Sequence, residues 1–161
     1  MAAGSTYTPV ANYTVSGTST SLITFNSFSG YTDLILRIQG TSWGNGRLRF
    51  NSDSGANYNW NVVTGDGTSA FNNRSNNDTS LVTGYYGGNG INFAQIMNYA
   101  NSTTYKSVLT RASNAAVGTD MMNGTWRNTA AITTITVQVN ATGSGTFANG
   151  DNITIWGIVA A

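Results

Sequence analysis

The chain has 161 residues, with seven basic and six acidic side chains and a formal net charge of +1. It contains no cysteine and no histidine, and all six acidic residues are aspartate, which excludes disulfides, thiolate metal sites and most acid–base catalysis. Only 8% of the residues are charged, against about 25% in an ordinary domain, yet 40% are apolar, which is enough for one packed core beneath a neutral, hydrogen-bonding surface.

The chain opens with a polar stretch, residues 1–20, rich in Ser, Thr and Gly and including Tyr7 and Tyr13. This composition predicts an extended N-terminal arm, ordered by contact with a neighbour, ahead of a single domain at 21–161. Residues 1–17 lack the basic head and apolar centre of a signal peptide, and no apolar run approaches the roughly 20 residues of a membrane-spanning helix. We therefore expect no membrane contact.

Strands dominate the rest of the chain, because β-branched Thr, Val and Ile fill its patterned stretches. In Leu34–Gln39 successive side chains alternate between two faces, and Asn45-Gly46 then leads into Arg47–Phe50, which predicts a hairpin of adjacent strands. Further strands are predicted at Ser21–Phe28, Tyr58–Thr64, Ser80–Tyr86, Phe93–Tyr99, Tyr105–Arg111, Asp120–Arg127, Ile132–Val139 and Asn152–Val159. This regular spacing predicts an all-β fold, a two-sheet antiparallel β-sandwich of about 8–10 strands.

Tight turns are predicted wherever Asn or Asp precedes Gly, since these residues tolerate positive φ. Such pairs stand at 45–46, 66–67, 89–90, 123–124 and 149–150. The final strand, Asn152–Val159, carries apolar residues on both faces, which predicts a central position or a face covered by another chain.

The aspartates are scattered along the chain, and Asp53 and Asp66 stand at turn signals where their side chains cap the backbone. We therefore predict that the protein is not an enzyme and uses no cofactor. The segment Asn51–Asn57 resembles a calcium loop, but Gly55 comes one place early and the final bidentate Glu is absent, so ordinary turns are favoured over a surface calcium site.

Arginines and aromatic residues are the candidate contact residues. Arg37, Arg47 and Arg49 are predicted to share one face of two adjacent strands, either solvated or in contact with a neighbouring subunit. Trp43 and Trp60 lie near turns, where they would contact either a subunit, which we favour, or a sugar. A net charge of +1 is too small for binding nucleic acid through its phosphates.

Six segments carry a family resemblance, in order and spacing, from residue 21 to the C-terminus. They are YTDLILRI at 31–38, LRFNSDSGANY at 48–58, GDG at 65–67, YANSTTYK at 99–106, GTWR at 124–127 and ITIWGIVA at 153–160. This pattern resembles small virion structural proteins of tailed bacteriophages, including phages of cyanobacteria, although that family commonly has Tyr where Trp156 stands. The resemblance implies a jelly-roll-like sandwich on the virion surface, with no catalytic residues to transfer.

Two roles follow from this resemblance. The first is a capsid decoration (cement) protein that binds the major capsid protein and copies of itself, as a homo-oligomer with a trimer favoured, using Tyr7, Tyr13, Arg37, Arg47 and Arg49. The second is a tail-fibre or receptor-binding module that recognises host-surface carbohydrate. We expect the first, because the chain begins with Met and ends just after the last strand without a stalk.

Overall fold

The computed structural model describes residues 6–41, 45–85, 88–114, 116–141 and 145–159. These residues form twelve strands and no helix, which confirms the all-β prediction with more strands than expected. The strands are β1 (Tyr7–Thr14), β2 (Leu22–Asn26), β3 (Asp33–Gly40), β4 (Gly46–Phe50), β5 (Tyr58–Gly65), β6 (Ala70–Asp78), β7 (Leu81–Gly84), β8 (Gly90–Ile96), β9 (Lys106–Asn114), β10 (Gly118–Trp126), β11 (Thr134–Val139) and β12 (Asn152–Ile158). None of the described segments is a helix long and apolar enough to cross a membrane.

Two antiparallel sheets form the predicted sandwich. The large sheet has eight strands in the order β1-β12-β3-β8-β9-β10-β5-β6, and the small sheet has four in the order β2-β11-β4-β7. Their facing sides enclose one apolar core, in which Leu36 and Ile38 of the large sheet and Leu48 and Phe50 of the small sheet are fully buried. Burial of this apolar surface between the layers stabilises the fold.

The predicted hairpin between β3 and β4 is wrong. β3 lies between β12 and β8 in the large sheet, whereas β4 lies between β11 and β7 in the small sheet. Both strands carry a row of apolar residues, and both rows reach the same core by lying in opposite layers rather than side by side.

Part of the predicted N-terminal arm, residues 7–14, is the strand β1 of the large sheet. β1 pairs with β12 from Tyr7 opposite Ile158 to Thr14 opposite Asn152, and Val15, only 1% exposed, joins the core. The sheet pairing therefore has no boundary at residue 20. Pro9 lies in β1 at the edge of the large sheet, where a missing N–H is tolerated.

One of the predicted turns is wrong as well. Asn123-Gly124 lies inside β10, where a Cβ on Gly124 would stand 2.4 Å from a methyl carbon of Leu81, so glycine is needed for close packing of the layers. At two of the other pairs the turn chemistry holds, since Gly67 between β5 and β6 has φ +88° and Gly150 before β12 has φ +92°.

Candidate interaction surface

The outer face of the large sheet, turned away from the small sheet, carries an uncovered apolar surface. Side chains of Val63, Met121, Arg111, Phe93 and Arg37 lie side by side in one row across five neighbouring strands. The next row holds Asn61, Asn123, Leu109, Gln95, Ile35 and Trp156. An open depression of about 540 Å³ crosses both rows.

We call five apolar residues of this face the outer band: Ile35, Val63, Phe93, Leu109 and Met121. Val63 and Met121 are each 63% exposed and Leu109 is 46% exposed, while Ile35 and Phe93 are half-buried. Isolated exposed apolar residues are ordinary on protein surfaces, but a contiguous group of this kind marks a contact surface.

A signal for the outer band exists in the sequence, in pairs of adjacent apolar residues within strands. Adjacent residues on a strand point to opposite faces, so two apolar neighbours cannot both face one core. In Val62-Val63 and Met121-Met122 one member is buried in the core, and the other belongs to the outer band. The same holds for Leu34-Ile35 and Val108-Leu109.

The charges on this face are mostly positive. The guanidinium of Arg37 lies 5.7 Å from the ring centre of Trp156 and donates to the Asn152 side chain at 2.8 Å. Arg111 lies 5.9 Å from the ring centre of Phe93, and Arg74 is exposed on β6. These contacts are cation–π interactions that hold two of the arginines against the sheet.

A single carboxylate, that of Asp33, shares the outer face with these arginines. It accepts hydrogen bonds from the Asn98 N–H at 2.7 Å and the Gln95 side chain at 3.4 Å. The charges of the face therefore sum to a positive value.

The three arginines predicted to share a face are not brought together. Arg37 lies on the large sheet, whereas Arg47 and Arg49 lie on the small sheet. Arg47 is 9% exposed and forms a salt bridge of 2.9 Å with Asp78, and Arg49 donates to the Thr79 carbonyl at 3.0 Å. Arg47 thus makes its contacts within the chain, and an assembly role for Arg37 and Arg49 stays a prediction.

The predicted aromatic contact residues have different positions. Trp60 is 5% exposed, and its indole N–H donates to Asp78 at 2.8 Å, so its ring is part of the core and cannot stack on a sugar. Trp43 lies outside the described residues. Tyr7 and Tyr13 are 56% and 42% exposed on the edge strand β1, and their contact role stays a prediction.

Each of the six aspartates accepts hydrogen bonds within the chain, so each has a structural use. Burial is the largest single influence on the pKa of Asp53 and would raise it. The pKa is nevertheless lowered overall, because the carboxylate accepts hydrogen bonds from Trp126, Asn57 and the Gly55 N–H and lies near the charge of Arg49. In the segment that resembles a calcium loop, the Asp53 carboxylate is therefore occupied by N–H donors.

Buried Asp120 accepts from the Thr64 hydroxyl and the Tyr85 N–H, each at 2.6 Å. Buried Asp151 accepts from the backbone N–H groups of Thr41 and Ala148. Among the described residues there is no group of three or more His, Cys, Asp or Glu that could hold a metal ion.

Comparisons with protein-family models, with curated proteins and with solved structures gave no match.

Proposed function

We propose that the protein is a non-enzymatic virion structural protein, a capsid decoration protein that binds the outer surface of a phage head through the outer face of its large sheet. The observation that carries this proposal is the outer band, an apolar group left uncovered in the middle of a regular sheet. Polar side chains surround it, as is common for a protein contact surface.

The size of the outer face suits a stable contact. Strands lie about 4.8 Å apart and rise about 3.4 Å per residue, so eight strands of about seven residues present about 34 Å by 24 Å, or about 800 Å². A standard protein interface takes about 800 Å² from each partner. One face of the large sheet is therefore large enough without any loop.

Charge on the outer face favours a partner of different sequence. A second copy docked face to face would present a face of the same net positive charge, which is unfavourable. A surface with apolar side chains and carboxylates would instead pair with the arginines of this face. We assign this face to the capsid subunit, and the choice of a phage head rests on the sequence resemblance.

Co-sedimentation tests this proposal. Fluorescently labelled protein is mixed with separated heads and tails of the phage that encodes it, and the amount that sediments with each is measured. We expect binding to heads, reduced by about a hundredfold or more when Leu109→Ser and Met121→Ser remove two apolar side chains from the outer band, since burying each one is worth about 1.5–3 kcal/mol. Val117→Ser is the control, because Val117 is also 46% exposed but lies in the turn between β9 and β10.

Binding to tails instead of heads would favour the receptor-binding role. Failure to bind either part would contradict the proposal as a whole. Equal binding by the double variant and wild type would show that heads are bound by another surface.

A further inference from the structure

The strand β6 is the most open edge of the fold. Among the described strands, β1 and β6 form the edges of the large sheet, and β2 and β7 those of the small sheet. β7 has four buried residues, β2 has five residues, and β1 contains Pro9 with a register shift beside it. β6 has nine residues with neither proline nor lysine, and its side chains are almost all exposed. From Ala70 to Ser75, β6 therefore has neither proline nor a register shift, and Arg74 is the one charged side chain, so this segment of the edge is open to pairing.

The backbone of β6 shows which of its groups face away from β5. The N–H of Arg74 donates to the side-chain oxygen of Asn73 at 2.8 Å, so it takes no part in the ladder with β5. Backbone groups alternate along a strand, and those of Ala70 and Asn72 therefore point to the same open side. From Ala70 to Ser75 the pairing with β5 is regular, and the register shifts only beyond Ser75.

We infer that β6 pairs antiparallel with β6 of a second copy about a two-fold axis at Asn72, joining the two large sheets into one continuous sheet. Asn72 then lies opposite Asn72 of the partner subunit, and Ala70 lies opposite Arg74 of the partner subunit. All three open residues of the regular segment then form hydrogen-bonded pairs, which exchange both of their N–H···O bonds. The Arg74 N–H gives up its bond to the Asn73 side chain and donates to the Ala70 carbonyl of the partner subunit instead.

Other registers fit less well. A two-fold axis at Arg74 would place two guanidinium groups directly opposite each other, which is destabilising. An axis at Asn73 would pair Ala70 with Asn76, which lies in the irregular part of β6 beyond Ser75. The register at Asn72 avoids both problems and leaves each Arg74 beside a small alanine.

This dimer has two consequences for the molecule. A two-fold axis perpendicular to the sheet keeps both outer faces on the same side, so the two outer bands would lie near each other, since Val63 is on β5, next to β6. Pairing of one edge with itself also closes at two copies, which differs from the trimer expected from the sequence. The inference goes beyond the proposed function and does not depend on it.

A cysteine cross-link tests the dimer directly. Hydrogen-bonded antiparallel pairs have Cα atoms about 5.5 Å apart, within the range of about 4.4–6.8 Å for disulfides. The chain has no cysteine of its own, so Asn72→Cys provides a single exposed thiol. We expect this variant to form a disulfide-linked dimer quickly under mild oxidation, while the exposed control Val117→Cys stays mostly monomeric.

Charge substitutions at Ala70 test the register independently of cross-linking. Ala70→Glu would face Arg74 of the partner subunit and tighten the dimer, whereas Ala70→Arg would weaken it, with dissociation constants at least about tenfold apart. Both side chains are exposed on an edge, so the fold should tolerate them. Sedimentation velocity over a wide concentration range gives the measurement.

Four results would each overturn the inference. They are a wild-type protein that stays monomeric, a wild-type trimer, cross-linking of Asn72→Cys no faster than that of the control, and equal dimer stability in the two Ala70 variants.

Discussion

Replacing Asp78 by alanine should remove the main electrostatic contact at the end of β6. The carboxylate accepts from the Arg47 guanidinium at 2.9 Å, from the Trp60 indole N–H at 2.8 Å and from the Thr79 N–H at 2.7 Å. The Arg47 and Asp78 side chains are only 10% and 17% exposed. Asp78→Ala would therefore leave a poorly solvated cation without its carboxylate, in contact with the Ser80 hydroxyl at 3.4 Å and the Trp60 ring centre at 5.9 Å, and an indole N–H without its acceptor.

The expected decrease in the free energy of unfolding follows from these contacts. Removing one partner of a buried ion pair costs about 3–5 kcal/mol, and part of that cost is the unsatisfied hydrogen-bond donor. For a chain of this size about 1 kcal/mol corresponds to about 2–4 °C, so the melting temperature should fall by about 6–20 °C. Urea unfolding of wild type and Asp78→Ala at neutral pH gives the free-energy difference.

The stability lost in Asp78→Ala should also depend on pH. Burial, the largest influence, would raise the pKa of Asp78, but the hydrogen bonds from Trp60 and Arg47 and the charge of Arg47 lower the pKa below its ordinary value of 3.8. A carboxylate with a lowered folded-state pKa stabilises the fold above its unfolded pKa and loses that effect as the pH falls through the folded value. The difference between wild type and variant should therefore be constant at neutral pH and shrink below about pH 3.8.

Asp66→Ala is the matched control, because Asp66 also accepts several hydrogen bonds, from Thr68 and Ser69, but lies fully exposed in a turn. Its substitution should cost much less than that of Asp78. If Asp78→Ala lowers the free energy of unfolding by less than about 1 kcal/mol, or by no more than the control does, the argument that the Arg47 site is desolvated is refuted.

Two further substitutions test the fold. Gly84→Ala should lower the free energy of unfolding by about 1–3 kcal/mol, because the new Cβ would stand 2.3 Å from the Cβ of Ala112. Gly65→Ala, which has open space around its Cβ, should be neutral or slightly stabilising when both variants are compared by urea unfolding. Equal changes in the free energy of unfolding for the two variants would contradict the close approach of the two sheets. Deleting residues 1–14 should cost about 2–5 kcal/mol through the cross-strand pairs with β12, and an unchanged melting temperature would instead support the separate arm expected from the sequence.

The ten strands predicted from the sequence all exist, and the two that were missed are the edges of the large sheet. β1 and β6 read YTPVANYT and AFNNRSNND, without the alternation that marks a half-buried strand. Unlike β2 and β7, the edges of the small sheet, β1 and β6 are exposed on both faces over most of their length, so nothing selects apolar residues at every second position. Pattern reasoning cannot find such strands, although β6 is the strand on which the dimer inference depends.

Turn chemistry shows a similar limit. Asp-Gly at 66–67 and Asn-Gly at 149–150 form turns, whereas Asn123-Gly124 lies within β10. The same dipeptide permits a turn and also permits close packing, because glycine lacks a Cβ in either case. Only Leu81, brought over Gly124 from the other sheet, decides between the two uses.

The sequence by itself determined that the chain is all-β, that its core consists of alternating apolar positions, and that catalysis has almost no titratable groups to use. Tertiary structure alone decided which sheet each strand joins, and with it the separation of Arg37 from Arg47, the burial of Trp60 and the exposure of Met121 instead of Met122. The physical reason is that alternation sorts side chains onto two faces of a strand but carries no information about which face another layer covers. That choice depends on the partners of each strand, which are distant in sequence.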